Sequence, residues 1–437
     1  VNRAEALQYL DAHIGWGMEP GLERISALLD LMGNPEQSYP IIQVAGTNGK
    51  TSVSRFATMV AVAHGLTTGT YTSPHLQRFE ERIAINGSPA SEEEFIQAVV
   101  DVKAFADIFE RDRHLTYFEL VTALGFSWFA DQAVNAAVVE VGLGGRLDAT
   151  NAAAADVAVV VSIGLDHAEI LGDTLDKIAV EKLGILDPEA TLVVGQLEPD
   201  ILKLARRTAA ERGARIYEYG KDFRVEGAER DFEGWRVDLE GVFGSYPDLV
   251  FPVHGRHQVT NLAVAVAAVE ALMERRLDPV AMSDGLSVLR SPGRMEIVGH
   301  EPPVMLDGAH NSDGFRVLGS ALAEEYPGVR WVLVVGAMAD KDLDTMLPHL
   351  SGRVEAVVAT TVGSERAMAP EAVAAAAGRI LDVPVHQAPT PAGAVEAATQ
   401  LAGKGGAVLV TGSLYLVGAV RSLLLEDGRT DRNERST

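Results

Sequence analysis

The sequence predicts an α/β protein in two unequal parts. An N-terminal domain carries a parallel sheet and a small β insertion, and a smaller C-terminal α/β domain follows. Three observations support this. The apolar run Ile41–Val44 leads into Gly46-Thr47-Asn48-Gly49-Lys50-Thr51 and then into helical spacing. Strand-like and helix-like segments alternate around it, as parallel sheets with crossover helices require. Between about 214 and 253 the alternation gives way to short β-type runs, and it restarts after Ser291-Pro292-Gly293-Arg294.

The elements follow in chain order. Residues 2–12 and 22–32 have helical spacing through Ala6, Leu7 and Leu10, then Leu22, Ile25, Leu28 and Leu29; Gly33-Asn34-Pro35 ends the second. A strand over 41–44, the glycine turn and a helix from about Lys50 to Ala63 come next. Thr67–Tyr71 reads as a strand, Thr72–Leu76 as a loop, and Arg82–Ile85 as a segment ending at the Asn86-Gly87 turn. Glu92–Phe109 and Tyr117–Ala130 read as helices. Ala136–Val141, Val157–Ser162 and Thr191–Val194 are expected strands, with a helix over Thr174–Gly184. Arg215–Tyr219, Gly234–Leu239 and Leu249–Val253 suggest a β-meander, and Thr260–Met273 is helical. The second domain is expected to hold Pro303–Leu306, Gly314–Glu325, Trp331–Val335, Val354–Ala359, Pro370–Ile380, Pro391–Ala402, Ala407–Thr411 and Leu416–Leu425. The charged tail from about Glu426 reads as disordered.

Composition narrows the function. The chain has 437 residues, 47% of them hydrophobic and 22% charged, which suits two or three domains with real cores. A formal charge of −24 argues against a nucleic-acid partner but leaves an anionic substrate open. The absence of cysteine rules out disulfides, thiolate metal sites and cysteine nucleophiles. No apolar run approaches membrane-spanning length, and residues 1–10 lack a basic segment followed by an apolar one. A cytoplasmic protein is the expectation, with neither membrane nor nucleic acid as partner.

The glycine turn is the centre of the chemistry. A strand, a glycine-bearing loop and a helix N-terminus let backbone N–H groups surround a polyphosphate at the start of the helix. Lys50 can reach the β/γ-phosphates, and Thr51 or Ser52 can meet a magnesium ion. Counting back from Gly49-Lys50, the usual pattern puts its first glycine at Val44. Gly46 stands later, so the loop is a shortened variant. Glu140, at the end of a neighbouring strand, is placed to hold the magnesium. His167, after Leu165-Asp166, lies past another strand and reads equally as a structural histidine or a ligand. Ser73 ends a third candidate strand. Asp307 and His310, in Leu-Asp-Gly-Ala-His-Asn (306–311), read as either a site or a turn. On these grounds an ATP-dependent ligase acting on a carboxylate competes with a nucleotide-hydrolysing switch. No Asn-Lys-x-Asp base-reading segment is present, and a second domain with its own Asp/His turn favours an enzyme that closes over two substrates in a cleft, hinged near 291–296.

A resemblance sharpens this. Gly-Thr-Asn-Gly-Lys-Thr-Ser (46–52), Tyr-Thr-Ser-Pro-His-Leu (71–76), Phe-Glu-Glu-Arg-Ile (79–83), Thr-Tyr-Phe-Glu-Leu-Val-Thr-Ala-Leu (116–124) and Val-Glu-Val-Gly-Leu-Gly-Gly-Arg-Leu-Asp-Ala-Thr-Asn (139–151) stand in order with Leu-Asp-His (165–167) and Glu-Lys-Leu-Gly-Ile (181–185). His-Gln-Val-Thr-Asn-Leu-Ala (257–263), Pro-Gly-Arg (292–294), Asp-Gly-Ala-His-Asn (307–311), Ala-Asp-Lys-Asp (339–342) and Thr-Gly-Ser-Leu-Tyr-Leu (411–416) follow. Together they resemble folylpolyglutamate synthase/dihydrofolate synthase, of the Mur ligase superfamily, across nearly the whole chain. The glycine loop alone is specific only to the superfamily; Ser-Pro-His-Leu and Asp-Gly-Ala-His-Asn narrow it to the folate branch. Thr51 stands where many members have glycine.

The resemblance implies a P-loop ATPase-like domain over 1–292, of the Mur ligase central type, and a Rossmann-like C-terminal Mur ligase domain over 293–437. It implies a monomer that joins L-glutamate to dihydropteroate or to folates through an acyl phosphate. ATP, Mg²⁺ and a monovalent cation are the implied cofactors, with Lys182 carbamylated. One metal falls to Thr51 or Ser52 with Glu140, and a second to Ser73, Glu140 and His167. Gly46, Thr47, Asn48, Gly49, Lys50, Asn261, Arg294, Asp307 and His310 fall to the nucleotide. Lys50, Lys182, His167, Asp307 and His310 form the implied catalytic set. Phe118, Ser73, Pro74 and Arg82 fall to the acceptor, with the loop 74–82 as the expected gate of the pterin end.

Overall fold

The computed structural model describes residues 1–16, 20–111, 113–231, 234–299, 301–364 and 366–434. The chain forms two compact units. The first comprises Val1–Glu229, Arg236–Phe251 and Gln258–Leu289; the second comprises Arg230–Trp235, Pro252–His257 and Arg290–Thr437.

The first unit holds β1 (Ile41–Ala45), β2 (Thr68–Tyr71), β3 (Ile83–Ile85), β4 (Ser88–Pro89), β5 (Ala136–Glu140), β6 (Val157–Val160), β7 (Thr191–Val194) and β8 (Arg215–Glu218). They form one sheet in the order β4-β3-β2-β5-β1-β6-β7-β8. The run from β2 to β8 is parallel, and β3 and β4 are antiparallel to their neighbours. Strands β1, β5 and β6 are buried along their whole length, which explains their near-continuous apolar composition. One face packs on Leu28, Phe95, Leu124, Phe126 and Phe129 over its β2-β5 part and on Leu183, Leu186, Ile201 and Ala205 over its β6-β7 part.

Register places the chemistry on one edge. Val44 pairs with Glu140, Ala45 with Val160, and Tyr71 with Val139. The chain therefore leaves β2, β5, β1 and β6 side by side at their carboxyl ends, where parallel sheets bind ligands. The helix Lys50–Ala63 starts directly after Gly49, whose φ of +86° is a left-handed value suited to glycine. No side chain caps that helix, whereas Ser91, Thr116 and Thr174 cap three others of this unit.

Three expectations are corrected here. Arg215–Tyr219 is not part of the meander: residues 215–218 are β8, the parallel edge of the large sheet. The meander is instead β9 (Arg224–Asp231), β10 (Gly234–Glu240) and β11 (Ser245–Phe251), in the order β11-β10-β9. A short exposed strand alternates alike in either setting, so its pattern could not choose between them. The crossover that decides it is the helix Pro199–Glu211, which the sequence reading passed over. The helix read as Thr260–Met273 begins earlier, at Arg256.

The second unit holds β12 (Glu296–Val298), β13 (Val304–Leu306), β14 (Trp331–Val335), β15 (Val354–Ala359), β16 (Val385–Gln387) and β17 (Ala407–Thr411), in the order β12-β13-β17-β14-β15-β16. All pairs are parallel except β12 with β13. Its core is Phe315, Leu322, Leu333, Val357, Val373 and Leu409 with their neighbours. The segment read as a linker is a hydrogen-bonded turn: Arg294 donates its amide to Ser291, and Gly308 donates to the Gly293 carbonyl at 2.9 Å. The last helix runs on from Leu414 to Glu434, so the backbone expected to be disordered from Glu426 is helical that far. Residues 435–437 lie outside the described residues.

Candidate active site

The glycine turn is braced from β6. Thr47 donates its amide to the Ser162 carbonyl at 2.9 Å, and Asn48 donates to Ser162 Oγ at 3.0 Å. Ser162 Oγ donates back to the Asn48 carbonyl at 2.8 Å, and Thr47 Oγ1 accepts from the Gly164 amide at 2.9 Å. A Cβ on Gly49 would lie 2.9 Å from Val161 Cγ1 and 3.0 Å from Asn261 Oδ1, so position and φ both require glycine. Asn261 is thereby packed on the loop, its Nδ2 donating to Gln258 at 2.9 Å.

Two lysines meet at this turn. Lys50 Nζ and Lys182 Nζ each donate to the Gly46 carbonyl oxygen at 3.0 Å. Lys182 is 4% exposed, on the helix Leu175–Leu183. Gly145 lets the loop after β5 lie on that helix; a Cβ there would sit 2.7 Å from the Glu181 carbonyl oxygen. Burial first, then the Lys50 charge, brings the Lys182 ammonium down from 10.5 to about 7.

Beside them, Thr51 Oγ1 donates to Glu140 Oε1 at 2.9 Å, and the Ser73 amide lies 3.4 Å from Glu140 Oε2. Glu140 is buried. His167 follows β6 with a φ of +51°; its ring is 43% exposed, and Nε2 stands 4.0 Å from Asp166 Oδ1.

The loop after β5 meets an aromatic side chain. Phe118 covers Gly142, where a Cβ would come within 2.4 Å of Phe118 Cζ. Its ring meets Tyr71 at 6.3 Å. The loop over residues 74–82 is internally tied. The Glu81 carboxylate takes the amides of Leu76, Gln77 and Arg78 at 2.8, 3.0 and 2.9 Å. Arg82 Nε donates to His75 Nδ1 at 3.0 Å. Behind Gly142, buried Asp148 accepts from the Leu143 amide at 2.8 Å and from Thr150 Oγ1 at 2.6 Å, and burial pushes its carboxyl above the usual range.

In the second unit, Asp307 is buried at the end of β13. It accepts from the Met295 amide at 3.0 Å and the Ala309 amide at 2.9 Å. Burial raises its carboxyl above the usual range, against the pull of Arg294. A Cβ on Gly308 would stand 2.1 Å from Arg294 Nη1, so only glycine admits that guanidinium. His310 Nδ1 lies 2.9 Å from the Gly308 carbonyl oxygen. Burial and then Arg294 lower the neighbouring His257 to about 4.

The comparisons with known proteins fit this geometry. The Mur ligase middle domain matches residues 44–269, and the Mur ligase glutamate ligase domain matches residues 293–414. A dihydrofolate synthase/folylpolyglutamate synthase of Mycobacterium tuberculosis is 37% identical, over 94% of this chain and 91% of its own. The chain belongs to the folylpolyglutamate synthase/dihydrofolate synthase family of Mur ligases. The solved M. tuberculosis folylpolyglutamate synthase complexed with ADP and AMPPCP superposes with a TM-score of 0.92 at 36% identity, covering 97% of this chain and 99% of that one. Escherichia coli FolC in complex with DHPP and ADP superposes with a TM-score of 0.87 at 30% identity, covering 98% and 99%.

Within this folylpolyglutamate synthase fold, the residues expected at the nucleotide fall into sets. Gly46–Thr51, Glu140, Ser73, Lys182 and Asn261 gather in the first unit; Arg294, Asp307 and His310 gather in the second. Of the two hydroxyls considered for magnesium, Thr51 meets Glu140, while Ser52 is buried at 2% exposure. Among the described residues, no three His, Asp or Glu side chains cluster as a metal cage. A hydroxyl beside one buried carboxylate fits Mg²⁺ nonetheless, because that ion keeps waters and shares phosphate oxygens. The sequence reading missed Ser162, Gly142, His75 and Asp148. Gly142 and Asp148 sit in the 139–151 segment that carries the resemblance. His75 likewise sits in the 71–76 segment, whereas Ser162 offered no signal beyond its position at the end of a strand.

Proposed function

We propose that this chain is an ATP-dependent ligase that joins L-glutamate to dihydropteroate and to reduced folates through an acyl phosphate. The observation that carries it is Thr51 hydrogen-bonded to buried Glu140, at the start of an uncapped helix that also presents Lys50. Polyphosphate oxygens satisfy such open amides, and the helix dipole favours their charge.

In this reading an acceptor carboxylate oxygen attacks the γ-phosphorus, the bond to the β-phosphate breaks, and ADP leaves. The glutamate amine then attacks the acyl carbonyl carbon and phosphate departs with the acyl oxygen. Lys50 exchanges its Gly46 contact for phosphate oxygens and offsets the charge that gathers there. Thr51, Glu140, Ser73 and His167 would hold Mg²⁺, which supplies Lewis-acid polarisation of the phosphoryl group. Lys182, with its pKa near 7, has a neutral fraction whose amine can take up CO₂ and lose a proton, turning a buried cation into a carbamate anion. Phe118 offers its ring to the flat acceptor. Asn261, Arg294, Asp307 and His310 serve the nucleotide.

The test is purified protein with ATP, Mg²⁺ and glutamate, offered dihydropteroate and tetrahydrofolate separately. ADP release that requires both glutamate and acceptor is expected with each. ATP hydrolysis indifferent to glutamate would overturn the ligase reading. Product with tetrahydrofolate alone would restrict it to polyglutamate synthesis.

A further inference from the structure

Phe118 stands on the first turn of the helix Tyr117–Asp131, and that turn is held from two sides. It opens on a capping box. The Glu119 amide donates to Thr116 Oγ1 at 3.3 Å, and Glu119 Oε2 accepts from the Thr116 amide at 2.8 Å and from its hydroxyl at 2.9 Å. The other carboxylate oxygen receives a cation from a different helix. Arg24, on the helix Glu23–Leu31, donates Nε to Glu119 Oε1 at 3.0 Å, and its Nη2 lies 3.0 Å from the same oxygen. Glu119 is 3% exposed, and the Arg24 side chain is 22% exposed. A forked, charge-assisted contact of this kind fixes direction as well as distance.

The inner side of the turn is fixed by the sheet. Tyr71 Oη and Thr122 Oγ1 lie 3.1 Å apart, and the Tyr71 ring meets Phe118. Residues 118 and 122 share a helix face, while 119 stands about 100° round from it. Tyr71 therefore holds the face that carries Phe118, and Arg24 holds its flank. The two helices also share one core, through Leu28 and Leu29 on one and Leu120 and Leu124 on the other.

The capping box accounts for the Glu119 bonds to Thr116 but not for Arg24. A helix N-terminus disfavours a cation through its dipole, so the guanidinium gives the isolated helix no benefit. What it adds is a tie across 95 residues of sequence to the turn that carries Phe118. The position of that ring has little tolerance, because the backbone of Gly142 lies too close beneath it to admit a Cβ. We propose that Arg24 is a positioning residue for the acceptor: through Glu119 it fixes the first turn of this helix and holds the Phe118 ring over Gly142. This rests on the ligase proposal above.

The experiment is steady-state kinetics of wild type, Arg24→Lys and Arg24→Met, each also combined with Phe118→Ala, with dihydropteroate and tetrahydrofolate in turn as acceptor. Arg24→Met should raise KM for the acceptor by about 10- to 100-fold, the scale for a displaced positioning group, and leave KM for ATP unchanged. Arg24→Lys keeps the charge without the fork and should fall between. In the Phe118→Ala background Arg24→Met should add no further rise, since the two act as one unit. A folded Arg24→Met protein with wild-type KM for the acceptor overturns the proposal. So do equal rises in KM for acceptor and ATP, or a rise that multiplies in full on top of Phe118→Ala. Should Arg24→Met fail to fold, Arg24→Met with Glu119→Gln neutralises both partners and keeps the capping box, and the same outcomes decide. Wild-type protein without ADP release that depends on glutamate and acceptor sinks the ligase reading itself, which is distinct from normal turnover that Arg24→Met leaves untouched.

Discussion

Lys50 and Lys182 share one acceptor: each ammonium nitrogen stands 3.0 Å from the carbonyl oxygen of Gly46. Two cations on one oxygen repel, and the more deeply buried gives up its proton more easily.

The first prediction follows from that relationship. The Lys182 pKa is 10.5 when solvated and about 7 in the fold. Between those values the unfolded chain binds more protons, so stability rises with pH across that window, and the full penalty stands below it. Lys182→Met should therefore be more stable than wild type at pH 7, on the order of 1–3 kcal/mol. The advantage should shrink toward pH 10, and turnover should be lost. Urea melts at several pH values would show it; a variant less stable than wild type at pH 7 would refute the account.

Removing the other lysine should act on chemistry alone. Lys50→Ala should lower kcat/KM for ATP by about a thousandfold, the scale of losing one transition-state charge contact. Its thermal midpoint should stay close to wild type. Normal turnover in a folded Lys50→Ala protein would remove the phosphate loop from the mechanism.

Gly142→Ala should act on the acceptor and spare ATP. The new Cβ would fall 2.4 Å from Phe118 Cζ, so the ring must move. Overpacking of this kind costs about 1–3 kcal/mol. Steady-state kinetics should show a raised KM for dihydropteroate with KM for ATP unchanged. Equal effects on both would mean that Phe118 has no part in seating the acceptor.

Gly308→Ala tests the second unit. Its Cβ would stand 2.1 Å from Arg294 Nη1 and 2.5 Å from Leu414 Cδ2. The guanidinium should be displaced and ADP affinity should fall about tenfold, as for one lost charged hydrogen bond. Calorimetric titration of a folded variant with undiminished ADP affinity would count against Arg294 as a nucleotide residue.

Much of the first unit was legible because its strands are buried on both faces. Ile41–Val44 and Ala136–Val141 admit few other readings when each ends at a glycine turn. The edge was not legible: β8 is partly exposed and alternates like a meander strand. The site divides the same way. Lys50, Thr51 and Glu140 follow from chain position after a strand. The partnership of Gly46 with Lys182 spans 136 residues, and no spacing rule reaches that far. Asp307 was expected at the nucleotide. Its two oxygens receive backbone amides, a use that no sequence pattern separates from ligand binding.

The helix Lys50–Ala63 begins without a side-chain cap. A ligand that fills those amides completes the helix, so occupancy is read out as resistance to heat. At a concentration a hundred times its dissociation constant, such a ligand adds about 2.7 kcal/mol to the folded state. Thermal denaturation can therefore rank nucleotides, phosphate analogues and inhibitor fragments at this loop before any acceptor or glutamate is supplied. The protein becomes its own sensor for whatever binds there.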